Sequence, residues 1–471
     1  MNPTSNRGVA PLVAGADRSP VTTRRAWLNQ ANRVDALSLV AKLAIFALVM
    51  AWISSIARWH SLGLASDQMH GTTYYRVVPE DSRIDRMARA LSQASFILAG
   101  LLSAVDGRRP RIPGLAVFLL VSMLLDCAYW VVTSYKLDEI WSGIIEPTSP
   151  AILSMCIGVF AGMDASIWRK LRFLLLAIAY ASAAVGIYYT ATLTIRGTFE
   201  GPTPTVEHLQ IAFWFGMGAL ILKRASRWRD CVIALIPVVL CIPMALLASS
   251  RSFTILAVVG LTTGLMVPLW RHGRPATSKL IALGLGVILF LSAAIGLLIL
   301  AAPDRVEAFQ NRLGQDTRSG QYSQFFSQIP VTSLILGLGP SASYAYNDRP
   351  NYNYIDNQFL FLLFKFGLPV FLGYVAVVVW PGLWLLVRKD ARRHRLLGVL
   401  FIFWTLATLG LSIFHSISIN PQNLLMVLFA GRAFVVLAAG NRSSVLAQDH
   451  SGPIPRSPGM KRGRTGAAAP A

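Results

Sequence analysis

Residues 280–302 read LIALGLGVILFLSAAIGLLILAA, a run with no charged side chain and Ser292 as its one hydroxyl. Wound as a helix at 1.5 Å per residue, it is about 34 Å long, enough to cross a hydrocarbon core of about 30 Å. In lipid only helices and closed barrels satisfy all their backbone polar groups. Barrel strands would alternate apolar and polar residues, and this run does not. Runs of the same kind recur along the chain, at about 36–56, 88–105, 113–133, 150–167, 173–193, 207–222, 231–249, 252–270, 357–387, 396–414 and 424–439. The pattern predicts an all-α, polytopic transmembrane helix bundle of about 12 spans. Composition agrees, since 54% of the 471 residues are hydrophobic and 14% charged, against about 25% charged in soluble proteins. No segment is large and polar enough to form a separate soluble domain.

Basic residues set the orientation, because short Lys/Arg-rich loops stay in the cytoplasm. Arg108, Arg109 and Arg111 fall on the same side as Lys170 and Arg172, Lys223 to Arg229, Arg271 and Arg274, and the run Arg388 to Arg395. A multi-pass inner-membrane protein with both termini cytoplasmic follows. Loops on the other side balance their arginines with acids, as in Asp81, Arg83, Asp85 and Arg86. The net charge of +21 is therefore explained by topology and anionic lipid, and nucleic acid is excluded as a partner. Residues 1–35 and 441–471 are polar or rich in Gly, Pro, Arg and Ala, and read as disordered cytoplasmic tails around a membrane domain at 36–440. The four cysteines, Cys127, Cys156, Cys231 and Cys241, lie inside spans without metal spacing and read as packing residues.

Between the ninth and tenth spans, residues 303–356 form one large periplasmic loop with short amphipathic helices. Tyr322, Phe325, Phe326 and Ile329 recur at helical spacing and predict a helix from Thr317, with Arg318 in its first turn. Gly337-Leu338-Gly339-Pro340 allows a tight reversal. Tyr344, Tyr346, Tyr352 and Tyr354 follow, interleaved with Asn347, Asp348, Asn351 and Asn353. Rings beside amides and carboxylates suit a sugar, and they also suit a polar loop with interfacial tyrosines. Asp356-Asn357-Gln358 then opens the tenth span.

In order and spacing these elements resemble the O-antigen polymerase and ligase superfamily, and within it the exopolysaccharide polymerases. The resemblance covers about residues 245–375. It rests on Ser249-Ser250-Arg251-Ser252 between two spans, Arg318-Ser319-Gly320-Gln321-Tyr322 on a loop helix, Gly337-Leu338-Gly339, and Asp356-Asn357-Gln358-Phe359-Leu360 through Lys365-Phe366-Gly367. Ligases of the superfamily carry His-Asn where this chain has Asp356-Asn357, and an Asp there looks more like the exopolysaccharide polymerases. The resemblance implies a membrane polysaccharide polymerase. Its partners would be an undecaprenyl-diphosphate-linked glycan donor and acceptor, membrane lipid, and chain-length regulator and export proteins.

Such chemistry needs two phosphates held at the membrane surface, charge stabilised on the leaving oxygen, and a proton taken from the acceptor hydroxyl. Arginine serves the first two tasks with its planar, permanently charged fork. Arg251 and Arg318 are the catalytic candidates for the diphosphate, and Asp356 for the proton or for orienting the acceptor. A carboxylate at a helix N-terminus is held as the anion, however, which weakens it as a base. Tyr322, Tyr344, Tyr346, Tyr352, Tyr354 and Asn357 are candidate substrate contacts, with His415 as a spare base. The plainer roles are snorkelling for Arg251, a solvated helix charge for Arg318, an N-cap for Asp356 and packing for His415. No cofactor or metal is expected, as no His and carboxylate cluster stands at ligand spacing. The competing classes are a ligase of the same superfamily and a 12-span secondary transporter.

Overall fold

The computed structural model describes residues 39–57, 83–105, 114–134, 157–196, 203–222, 228–248, 250–272, 277–313, 317–339, 342–347, 349–352, 355, 357–388, 394–411 and 420–449. The expected tail at 1–35 lies outside them, as does the part of the expected tail 441–471 that follows residue 449. The helices in chain order are α1 (Leu39–Ala57), α2 (Arg83–Ala104), α3 (Gly114–Ser134), α4 (Ala165–Arg196), α5 (Thr203–Leu222), α6 (Trp228–Leu247), α7 (Arg251–His272) and α8 (Thr277–Ala301). The loop carries α9 (Pro303–Leu313) and α10 (Thr317–Gln328), and the chain returns through α11 (Gln358–Tyr374), α12 (Trp380–Val387), α13 (Arg395–Leu406) and α14 (Pro421–Asp449). Among the described residues, 7 helices are long and apolar enough to cross a membrane, and shorter apolar helices accompany them at Val117–Asp126, Val206–Leu222, Arg251–Val267 and Arg395–Leu409. The protein is therefore a helical membrane protein.

Its centre is α5. From His208 to Leu220 every residue is buried, which is what a helix apolar on all sides requires of its neighbours. Trp214 packs edge-on against Trp404 of α13 at 5.1 Å, and Phe213 against Phe253 of α7 at 6.1 Å. Phe213 also fills the space over Gly260, and Leu220 approaches Gly264. The pairing order shows that α5 and α7 run in the same direction, so Glu207 and Arg251 stand at one end of the bundle. By contrast, none of the α8 window Ile281–Ala301 is buried against protein. The run that decides the fold from sequence is thus the one that touches the fold least.

Several boundaries differ from expectation. The second span was expected from 88, yet α2 begins at Arg83 and takes Asp85 into its first turn. Of the fourth, expected at 150–167, the described part is a short helical stretch at 157–162, and Asp164 then accepts Ser166 N–H at 2.8 Å and caps α4. The last helix runs Pro421–Asp449, past the expected span 424–439 and into the expected tail at 441–471. Arg432 lies with its guanidinium 5.0 Å over the ring of Trp168. Cys231 and Cys241 are buried free thiols, and Cys241 Sγ donates to carbonyls of Leu209 and Pro237.

The largest correction concerns the tenth span, expected as one helix over 357–387. Gly367 has φ 79° and ψ −175° and breaks it. Phe359 then lies 5.5 Å from Phe371 and 6.2 Å from Tyr374, ring to ring. Along an unbroken helix, Phe359 and Phe371 would be about 18 Å apart. The segment 358–366 is therefore an arm folded back on the rest. The remaining 368–387 is about 30 Å long and suffices to span by itself.

Candidate functional site

The large loop builds a small core of its own on that arm. Phe325 of α10 meets Tyr344 and Phe364 edge-on, each at 5.2 Å, and Ile329, Leu334 and Ile355 complete the buried cluster. Residues 344–352 form a two-stranded antiparallel hairpin, β1 (Tyr344–Tyr346) and β2 (Arg349–Tyr352), which an all-α reading did not include. Asn347 makes its turn with φ 44°, a conformation asparagine tolerates better than most residues. The side chain of Gln328 stands in for a further strand, because its amide both donates to Ala345 O and accepts from Ala345 N. Tyr344 is 3% exposed, so its ring is spent on packing. Tyr346 and Tyr352 are half-buried and touch each other at 5.1 Å, and Tyr322 lines the same cluster. Phe326, expected on the apolar face of α10, is exposed.

The loop is fastened to the arm through backbone. In a continuous helix the carbonyls of Phe364 and Lys365 would receive the N–H groups of residues 368 and 369. Leu368 N–H instead donates to Ile335 O at 2.8 Å, and Pro369 has no N–H to give. The two vacated carbonyls are taken by Leu338 N and Gly339 N, both at 2.9 Å. Chain and arm approach so closely that a Cβ on Gly337 would sit 2.6 Å from Gly367 N. Gly337 and Gly339 have φ of 80° and 92°, as the expected reversal requires. Lys365, 2% exposed, lies over the rings of Phe361 and Phe364 and donates from Nζ to Ala342 O.

At its other end the loop reaches the bundle through Arg318. Its Nη2 donates to Ser252 Oγ at 2.9 Å. Ser252 is the residue after Arg251, which opens α7, and Thr254 N–H to Ser250 O at 3.0 Å is that helix's first bond. The start of a 22-residue helix, with its outward backbone N–H groups and positive dipole end, is thereby flanked by two arginines. Asn357 is half-buried and accepts with Oδ1 from Phe359 N and Leu360 N, at 3.0 and 3.1 Å. The N-cap is therefore Asn357, and not Asp356, for which that role was the plainer alternative. Asp356, Tyr354 and His415 lie outside the described residues.

One polar constellation was not anticipated. Asp85, expected in an outer loop where acids balance arginines, is fully buried and paired with Arg89 one turn on, at 2.7 Å. Ser54 of α1 donates to the other oxygen of Asp85, and the adjacent Ser55 donates to Glu207 of α5 at 2.6 Å. The signal in the sequence was the i, i+4 spacing of Asp85 and Arg89, which becomes visible once the helix is started five residues earlier than 88. These contacts tie α1, α2 and α5 together at the end of the bundle where Arg251 stands. Among the described residues no three His, Cys, Asp or Glu side chains come together as a metal site. No family model, no curated protein and no solved structure matches the chain.

Proposed function

We propose that this chain is a polymerase of undecaprenyl-diphosphate-linked oligosaccharide repeat units, acting at the periplasmic face of a bacterial inner membrane in exopolysaccharide or O-antigen synthesis. The observation that carries the reading is the hydrogen bond from Arg318 to Ser252, which brings a cation of the large loop to the residue that follows Arg251 at a helix start. A diphosphate has the matching chemistry. Guanidinium groups bind it in a fork, and helix N–H groups with a serine hydroxyl complete the shell. In the proposed reaction a hydroxyl of the incoming unit attacks the anomeric carbon of the growing chain. A C–O bond forms there, the bond to the lipid diphosphate breaks, and the diphosphate leaves with the electron pair while the hydroxyl proton passes to a base. Arg251 and Arg318 hold the leaving group and stabilise its growing charge. Asp356 is the proposed base or orienter of the acceptor. The twelve-span layout and both termini in the cytoplasm belong to the same proposal.

The test supplies lipid-diphosphate-linked repeat units to the chain in liposomes. A ladder of longer glycans is expected, and its loss in Arg251→Ala and Arg318→Ala. A single shift onto a different acceptor would make the chain a ligase, and substrate crossing the bilayer without a new bond would make it a transporter. Ladder formation left intact in both variants would overturn the site.

A further inference from the structure

We infer that Gln358 binds a neutral sugar group of the glycan, its Oε1 accepting from one hydroxyl and its Nε2 donating to a neighbouring oxygen. The inference rests on the polymerase reading and names a specificity residue within that site. Gln358 is the first residue of the folded-back arm and is 3% exposed. Neither Oε1 nor Nε2 has a hydrogen-bond partner among the described residues. A buried primary amide with both ends unmet is costly, and a Met of similar volume fits the same space without that cost. The arm does not need the amide for its own sake. Asn357 Oδ1 already takes the N–H groups of Phe359 and Leu360, and Asn357 O takes that of Phe361.

The chemistry of the unmet groups selects the ligand. Oε1 requires a donor, which neither an ionised diphosphate nor a lipid chain supplies. Nε2 requires an acceptor, which an aliphatic chain lacks. Sugar hydroxyls and acetamido groups supply both in adjacent positions. The neighbourhood is right for a ring as well, since the fold-back places Phe359, Phe371 and Tyr374 together beside the arm. The large loop packs against the opposite face of the same arm through Leu360, Leu363 and Phe364. The loop, fastened to 364–368 and to Ser252, links the arm that carries Gln358 to Arg318.

The experiment compares full-length wild type and Gln358→Met in lipid nanodiscs. Binding is measured for an undecaprenyl-diphosphate-linked repeat unit from a strain that encodes the chain and for undecaprenyl diphosphate without sugar, and the thermal midpoint is measured without ligand. The expected result is about tenfold to hundredfold weaker binding of the sugar-bearing lipid, unchanged binding of the sugar-free lipid, and an unliganded midpoint equal to or above wild type. Equal affinities of wild type and variant for the sugar-bearing lipid, a lower midpoint, or a variant that does not fold would each overturn the inference. Should wild type itself fail to distinguish the two lipids, the polymerase reading falls together with it.

Discussion

At the residue scale, the contact to test is the one that Arg318 makes with Ser252 Oγ, with Phe325 of the same helix seated in the loop core. Replacing Ser252 with Ala removes the hydroxyl and leaves both guanidiniums. Polymer formation is then expected to fall by about tenfold, the worth of one hydrogen bond to a charged group, against about a hundredfold or more for Arg318→Ala. Arg318→Lys is expected to recover little, because an ammonium lacks the fork that grips a phosphate at two points. Rate measurements on the liposome ladder across the three variants check the order. Asp126 poses a different question. It lies in α3 three residues after Met123, which touches Gly373, and its Oδ2 is buried with no hydrogen-bond partner among the described residues. Asp126→Leu is expected to stabilise the protein by about 1–3 kcal/mol, since an unmet polar group leaves the bundle. Thermal unfolding in detergent reads this directly, and a lower midpoint would mean that the carboxyl has a partner after all.

At the element scale the joint between loop and arm is where substitution should cost most. Gly337 and Gly367 both have positive φ and face each other at backbone distance. An Ala at Gly367 would place its Cβ 2.4 Å from the Leu336 carbonyl carbon, where no flexible side chain can yield. Gly367→Ala is thus expected to cost more than about 2 kcal/mol, from strain and clash together. It should also free the loop, seen as faster proteolysis within 331–339. Asn357→Ala, which removes only a helix cap, is expected to cost about 1 kcal/mol and to leave the joint closed. The pair of variants separates fraying of the arm from detachment of the loop.

At the scale of the whole molecule, polar burial is concentrated where the loop meets the bundle. The Asp85–Arg89 pair, Ser54, Ser55 and Glu207 are at the same end as Arg251 and Arg318. Ion pairs inside a membrane domain are costly, which agrees with the proposal that this end carries the site. The proposed orientation can be read with single cysteines in a cysteine-free background. Glu307→Cys on α9, an exposed position, is expected to react with an impermeant maleimide in intact spheroplasts. Lys170→Cys near the start of α4 is expected to react only after permeabilisation. Equal labelling of both in intact cells would refute the arrangement.

What the sequence determined alone is the solvent and the helical class of the apolar runs. Continuous apolar runs without period-2 alternation leave helices as the answer in lipid, whatever packs against them, and Ile281–Ala301 is a helix although none of that window is buried. The loop helix, its Arg318 and the glycine reversal were also legible, because they depend on local spacing and on φ. The fold-back at Gly367 was not, since 359–366 reads Phe-Leu-Phe-Leu-Leu-Phe-Lys-Phe and is apolar on every side. Such a segment serves equally as half of a span or as an arm packed between two cores, and only the docking of 335–339 onto its carbonyls decides which. The burial of Asp85, the spending of Tyr344 on packing and the burial of the Gln358 amide without a hydrogen-bond partner among the described residues belong to the tertiary structure for the same reason. Each depends on which surface arrives from a distant part of the chain, and local periodicity carries no record of that.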